Sequence, residues 1–131
     1  MKVSNLSKLI VIVICSLMLC ACGINNPEDN GSNEVLGTCF ITIEGYCDNR
    51  EVEVYNGDSV YDILKKSGAN VSARSSGYGV YIEGINGRYE FDEGPTSGWV
   101  YYVNDAKANE SCNKYIVNVG DSITWDYVDE I

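Results

Sequence analysis

Short segments of alternating apolar and polar residues, separated by glycine-rich turns, constrain the fold of this chain more than any other feature. Residues 38–44, 51–55 and 123–128 alternate with a period of two, which is typical of strands that bury one face. Helical spacing of apolar residues occurs once, over residues 60–66, after a capping residue and before a glycine. The chain is therefore expected to form a sheet and a single helix.

The order of these segments predicts the fold class. A hairpin comes first and the helix follows it. Further strands are predicted at residues 78–82, 89–91, 99–103, 115–119 and 123–128. Residues 69–77 are interpreted as irregular, because small and polar residues dominate there. We expect an α+β, β-grasp-like fold in which one helix packs across a mixed or antiparallel sheet.

The charge and the lack of histidine argue against several functions. The 131 residues carry a net charge of −10, which would repel the phosphate backbone of nucleic acids. Without histidine the sequence has no Ser–His or Cys–His pair and no imidazole to bind a metal. Its acidic residues do not follow a calcium-loop motif either. We therefore expect no enzyme activity, no metal site, no required cofactor and no nucleic-acid partner.

The first 21 residues have the pattern of a bacterial lipoprotein signal peptide. Lys2 and Lys8 precede an apolar run that is too short to span a bilayer. The run ends in the letters LCAC at residues 19–22, which resemble a lipobox. An aliphatic residue lies three positions before Cys22 and a small residue lies directly before it. Cys22 is therefore the expected lipidation site and the first residue of the mature protein.

The rest of the chain divides into a tether and a folded domain. Residues 22–35 contain the expected lipidated cysteine and a polar stretch with little apolar surface, which is typical of a flexible linker. Residues 36–131 hold all the predicted strands and the helix. The expected location is the extracellular face of the cell membrane, where the lipid attaches the domain to the bilayer.

Motifs in the folded region resemble those of a known family. They are GDSVYDIL at residues 57–64, GPTSGWVYYVN at residues 94–104 and VGDSITWDY at residues 119–127. This pattern is similar to the transcobalamin-like C-terminal domains of Gram-positive surface lipoproteins, relatives of the small domain of transcobalamin and intrinsic factor. The sequence departs from the family at Asn104-Asp105, where the family usually has Asn-Gly.

The resemblance implies a ligand-binding module for cobalamin or another corrinoid. In the animal proteins this domain closes over cobalamin, while a separate helical domain supplies much of the pocket. A flat, largely apolar ring fringed with amides needs an exposed aromatic side chain and small polar donors beside it. The predicted ligand-binding residues are Thr96, Ser97, Trp99, Tyr101, Asn104 and Tyr78.

Two alternatives to this site stay open. Trp99 can pack in the core while residues 94–98 only shape a turn, since an aromatic residue in a strand is more often core. An exposed tyrosine surface including Tyr78 can instead bind a glycan or a protein partner. The expected function is a membrane-anchored lipoprotein with a non-catalytic ligand-binding module. The alternative is a domain for protein or glycan interaction at the cell surface.

Three cysteines lie in the predicted folded domain, where an oxidising environment would allow at most one internal disulfide. A Cys39–Cys47 bond would link the two strands of the first hairpin. Cys112 is the third thiol and can pair with either of the others. The pairing is left open by the sequence.

Replacement of Cys22 by alanine is expected to abolish lipid attachment, because the lipid would be carried by the thiol of that residue. Intact mass spectrometry of the chain expressed in a bacterial host, together with its partition into detergent, measures the effect. Cys20→Ala is the matched control and should keep the lipid. A lipid mass retained in Cys22→Ala would contradict this assignment.

Overall fold

The computed structural model describes residues 34–131 of the chain. Within that range eight strands and one helix follow one another. The strands are β1 (Val35–Ile43), β2 (Cys47–Tyr55), β3 (Val71–Ser76), β4 (Gly79–Ile85), β5 (Arg88–Tyr89), β6 (Gly98–Val103), β7 (Ala106–Lys107) and β8 (Ser122–Val128), and the helix α1 (Val60–Lys66) lies between β2 and β3.

Five strands form a mixed sheet in the order β2-β1-β8-β6-β7. β1 and β2 make the predicted antiparallel hairpin. β1 also pairs in parallel with β8, which places Ile43 opposite Trp125. β8 pairs on its other side with β6 in antiparallel register, where Tyr101 lies opposite Trp125. Trp125 therefore lies between two neighbouring strands in the middle of the sheet.

A second, antiparallel sheet has the order β3-β4-β5. Two hydrogen bonds join its last strand to the larger sheet: the Trp99 indole N–H donates to the Arg88 carbonyl over 2.8 Å, and the Tyr127 hydroxyl donates to the Tyr89 carbonyl over 2.7 Å. The α+β class and the mixed sheet agree with the prediction. The second sheet was not expected, since β3 falls in the segment interpreted as irregular, and the β-grasp label stays a prediction.

Helix α1 begins at a capping box. The Ser59 hydroxyl accepts from the Asp62 N–H over 3.3 Å, and the Asp62 carboxylate accepts from the Ser59 N–H over 3.0 Å. Val60, Ile63 and Leu64 are fully buried and join the core that the larger sheet covers. The helix is short, and its apolar face rather than its length accounts for its position.

The chain after Ser111 completes the cap of the same helix instead of forming a strand. The Val60 N–H donates to the Tyr115 carbonyl over 3.0 Å, and the Tyr61 N–H donates to the Cys112 carbonyl over 2.9 Å. These are donors of the first helical turn, which have no partner within a helix. The strand predicted at residues 115–119 is therefore wrong. In place of a strand, the segment has an isolated β-bridge between Ile116 and Ser59.

The register of the first hairpin contradicts the Cys39–Cys47 disulfide. Cys39 pairs with Val52, whereas Cys47 pairs with Ile43, four residues further along β1. Four residues of strand span about 13 Å, and the Cα atoms of a disulfide lie no more than about 7 Å apart. Cys39, Cys47 and Cys112 are free thiols in the structure.

The predicted signal peptide (residues 1–21), the Cys22 lipidation site and almost all of the tether (residues 22–35) lie outside the described residues. In residues 34–131, no helix is long and apolar enough to cross a membrane.

Ser59→Ala is expected to lower the free energy of unfolding by about 1–2 kcal/mol, because it removes one half of the capping box at a buried position. Urea unfolding followed by circular dichroism measures this. Ser122→Ala, at an exposed position of β8, is the matched control and should change stability by less than about 0.5 kcal/mol. Equal effects of the two substitutions would contradict the role of the cap.

Candidate functional site

A groove runs between β4, β6 and the segment that follows β7. Its inner recess has a volume of about 200 Å³ and is lined by residues 80–82, 99–101, Trp125 and part of segment 107–112. Its outer recess has a volume of about 500 Å³ and is lined by residues between 76 and 81 and between 109 and 114. The two recesses share Val80, Tyr81, Glu110 and Ser111, so they form one continuous groove.

Side-chain hydrogen bonds to the backbone of Val80 hold the two walls of the groove together. The Val80 N–H donates to the Ser111 hydroxyl over 2.9 Å and to the Asn113 side-chain oxygen over 3.0 Å. The Ser111 oxygen also lies 2.9 Å from the Val80 carbonyl. Val80 pairs with Ser75 of β3 on one side, and on the other side of β4 no strand pairs with it, so these bonds take the place of strand pairing there.

Gly79 allows this close approach. Its φ is +131°, a conformation that side chains rarely adopt. A Cβ atom at this position would lie 2.3 Å from the Ser111 hydroxyl oxygen. A glycine is therefore required where segment 107–113 meets β4.

Buried aromatic side chains form the wall of the inner recess. Trp99 is 6% exposed, and its indole N–H already donates a hydrogen bond to the Arg88 carbonyl. The Tyr101 hydroxyl donates to the Glu110 carbonyl over 2.6 Å, and burial raises the pKa of Tyr101. The ring of Tyr101 lies 5.2 Å from that of Trp125.

Trp125 differs from the other aromatic residues of this wall in one respect. It is 2% exposed, and its Nε1 finds no hydrogen-bond partner among residues 34–131. A buried N–H without a partner costs free energy that a bound acceptor can recover. Lys107, Glu110 and Ser111 give the lining of the inner recess its polar part.

The outer recess is more open and lies beside two tyrosines. The Tyr78 side chain is 90% exposed, which is unusual for so large a residue. The Arg74 guanidinium lies 4.5 Å from the centre of the Tyr81 ring. Burial and a hydrogen bond with Glu90 raise the pKa of Tyr81 to about 12, so its phenol is neutral at physiological pH.

The Cys112 thiol lies on the inner recess but lacks the features of a nucleophile. It is 3% exposed, and its Sγ lies 3.7 Å from the Val80 carbonyl. Burial raises the pKa of Cys112 to about 11, which keeps the thiol protonated at neutral pH. A protonated, buried thiol is a packing group rather than a reactive one.

The groove brings together three of the six residues predicted to bind a ligand. Trp99 and Tyr101 line its inner recess, and Tyr78 lines its outer recess. Trp99 is buried rather than exposed, as in the alternative in which it packs in the core. The aromatic surface of the groove therefore differs from the exposed tryptophan platform that was expected.

The other three predicted residues have structural partners elsewhere. The Thr96 hydroxyl donates to the Asp129 carbonyl over 2.8 Å, and the fully buried Ser97 hydroxyl lies 2.9 Å from the Tyr127 hydroxyl. The Asn104 amide donates to Asp121 over 2.9 Å at a turn where Asn104 and Asp105 both have positive φ. They do not line the groove.

Other residues of the groove were not among the predicted ligand-binding residues. Tyr81, Ser111 and Cys112 line it, and Trp125 was interpreted only as core. Ser111 lies 31 residues after Val80, so no short motif joins them. The polar composition of residues 104–113 is that of an ordinary loop. The segment forms a wall of the groove only because β4 lies beside it.

The described residues offer no evident metal centre. Nowhere in residues 34–131 do three or more histidine, cysteine, aspartate or glutamate side chains come close enough together to hold a metal ion. The acidic side chains instead pair with arginines, as in the bonds of Arg88 to Glu44 (2.9 Å) and Glu93 (2.7 Å).

Comparisons by sequence find one family. A family model described as "Domain of unknown function (DUF4430)" matches residues 57–129. This span includes α1, both recesses of the groove and β8. A search of curated proteins finds no match.

Comparisons by structure find two informative likenesses. One is a protein from Ruminococcus gnavus ATCC 29149 described as a "putative metal binding protein", with 17% identity and a TM-score of 0.56, covering 72% of this chain and 99% of that one. The other is haptocorrin in complex with Cbi, with 15% identity and a TM-score of 0.59, covering 69% of this chain and 25% of that one. At these identities the likeness shows a shared fold. The chain matches about a quarter of haptocorrin.

Gly79→Ala is expected to lower the free energy of unfolding by about 1–3 kcal/mol, because its Cβ would collide with Ser111 and strain the backbone. Gly77→Ala is the matched control. Gly77 has open space around its Cβ position and no positive φ, so its replacement should stabilise the fold by at most about 1 kcal/mol. Chemical denaturation compares the two, and equal stabilities would contradict the close contact at Gly79.

Proposed function

The chain belongs to the DUF4430 family, and we propose that it is a non-catalytic ligand-binding module whose ligand is cobalamin or another corrinoid. The observation that carries the proposal is the continuous groove with buried aromatic side chains at its inner end and the exposed Tyr78 at its outer end. Small-molecule sites are concave and largely apolar, with a few polar groups that orient the ligand.

The aromatic rings of the groove suit a large, flat ligand. Tyr78 and Tyr81 offer ring faces at the outer recess, and an apolar ring system gains free energy by covering them. The inner recess is too small for a whole corrin ring but can take a group on its rim. A corrinoid would therefore lie over the outer recess and extend one substituent inward.

The shared fold supports the choice of ligand class. Haptocorrin binds Cbi, and the part of it that resembles this chain covers 25% of its length. Corrinoid binding is carried over to this chain only as part of the proposal. This chain corresponds to only a quarter of haptocorrin. We therefore expect it to bind a corrinoid more weakly than two domains that enclose the ligand do.

The proposal includes attachment to the membrane. A lipid on Cys22 would hold the domain at the extracellular face of the cell membrane, and residues 22–35 would act as the tether. The net charge of −10 favours a domain that stays off an anionic lipid surface. The open groove would then face ligands outside the cell.

The groove is proposed to bind without catalysis. Its thiol is buried and protonated, burial raises the pKa values of Tyr81 and Tyr101, and the sequence has no histidine. General acid–base chemistry near neutral pH needs a group that titrates there. These features support a binding role.

Calorimetric titration of the full-length chain with cobalamin and cobinamide tests the proposal. We expect saturable binding, and Tyr78→Ala should weaken it about three- to tenfold because it removes the exposed ring face at the outer recess. Phe91→Ala is the matched control, since Phe91 is 56% exposed and does not line the groove. It should leave the affinity unchanged.

Two results would contradict the proposal. The absence of heat at high micromolar concentrations of both corrinoids would overturn corrinoid binding by this chain. Loss of affinity in Phe91→Ala but not in Tyr78→Ala would place the ligand outside the groove.

A further inference from the structure

We propose that the groove binds a ligand that carries an oxyanion such as a phosphate ester, and that Lys107 and Lys114 are the cations that attract it. This rests on the proposed function in taking the groove as the ligand site. It adds a charged group to the flat ring system that would cover the tyrosines.

The two lysines differ from the other cationic side chains of the domain. The sequence has nine lysine and arginine residues, and all but Lys2 and Lys8 lie in the described part of the chain. Among residues 34–131, Lys107 and Lys114 form no ion pair and no side-chain hydrogen bond. Each of the others bonds a carboxylate or a carbonyl oxygen: Lys65, Lys66, Arg74, Arg88 and Arg50.

Both of these lysines line the groove. Lys107 lines the inner recess and Lys114 lines the outer recess, and both residues are exposed. An anionic group at either recess therefore lies near a cation that no carboxylate of residues 34–131 pairs with. Such a lysine can pair with a ligand without first losing an ion pair within the domain.

The lining of the groove is positive on balance, although the protein is acidic. Glu110 is the one carboxylate among the lining residues, and it forms no ion pair with either lysine. The lining thus carries two positive charges and one negative charge, in a chain whose net charge is −10. A local excess of positive charge raises the concentration of an anion at that surface.

The outer recess also offers hydrogen-bond donors that the fold does not use. Besides the Lys114 ammonium, the Asn109 side-chain amide and the Tyr78 hydroxyl line it and form no hydrogen bond within residues 34–131. A phosphate ester has several acceptor oxygens, and bonds to ionised acceptors are stronger than bonds between neutral groups. A volume of about 500 Å³ leaves room for a phosphate beside a ring on Tyr78.

This charge preference distinguishes the two corrinoids of the proposed function. Cobalamin carries a phosphodiester in its nucleotide loop, and cobinamide lacks that loop. Cobalamin is therefore expected to bind about two- to tenfold more tightly than cobinamide, the range of one or two exposed charge pairs.

Titration of the full-length chain with small aromatic probes tests the charge preference without a corrinoid. The probes are phenyl phosphate, phenol and benzylamine, which share a ring and differ in charge. Chemical shifts of the backbone amides of residues 78–82 and 109–114 report binding in the groove. We expect phenyl phosphate to bind most tightly and benzylamine least tightly. Sodium chloride should reduce the preference for phenyl phosphate, because salt screens exposed charges.

Substitutions of the charged lining residues should change the affinity for phenyl phosphate alone. Lys107→Gln and Lys114→Gln should each weaken it about two- to fivefold and leave the affinity for phenol unchanged. Glu110→Gln should strengthen it, because the opposing charge is removed. Lys65→Gln is the matched control, since it makes the same change of charge on α1 and outside the groove, and it should have no effect.

Two results would overturn the anion site. One is equal affinity of the groove for phenyl phosphate and phenol. The other is an equal loss of phenyl phosphate affinity in Lys65→Gln and in the two groove variants, because the net charge of the chain would then attract the anion.

Failure of the anion site can be told apart from failure of the proposed function. If phenyl phosphate binds through the two lysines and neither corrinoid binds, the anion site stands and the corrinoid proposal falls. If cobalamin and cobinamide bind equally and phenyl phosphate binds no better than phenol, the anion site is overturned and corrinoid binding stands.

Discussion

The first and last strands of the described domain pair in parallel at the centre of the larger sheet, and the other elements take their positions from that pairing. Residues 40–43 of β1 lie beside residues 122–125 of β8, which itself pairs with β6. Ile41 and Ile123 are fully buried at this junction, beneath the helix that follows the first hairpin. The pairing of β8 with β6 places Trp125 beside Tyr101 and so builds the aromatic wall of the groove.

The sequence predicted the parts of the fold whose hydrophobic pattern is local. The first hairpin, α1, β6 and β8 agree with their predicted positions, because alternation and capping signals mark them. β3 was missed, since VSARSS carries little apolar alternation and takes its conformation from pairing with β4. The strand predicted at residues 115–119 was wrong because its backbone caps the helix instead.

The candidate site was predicted less well for a physical reason. Its aromatic residues Trp99, Tyr101 and Tyr78 could be named from residue type, yet whether a ring faces the core or a groove depends on what packs over it. Segment 107–113 lies over that side of β6. Its hydrogen bonds to Val80 of β4 hold it there, and they join distant parts of the chain. Thr96, Ser97 and Asn104 have the residue types of a binding loop. Their side chains instead form hydrogen bonds to other residues of the domain.

We propose that this domain binds its ligand in the groove between β4, β6 and segment 107–112. Hydrogen–deuterium exchange of the full-length chain, with and without saturating cobinamide, tests it most directly. We expect slower exchange at residues 78–82 and 108–112, with residues 94–98 unchanged. Protection confined to residues 94–98, or no protection in the described domain, would contradict it.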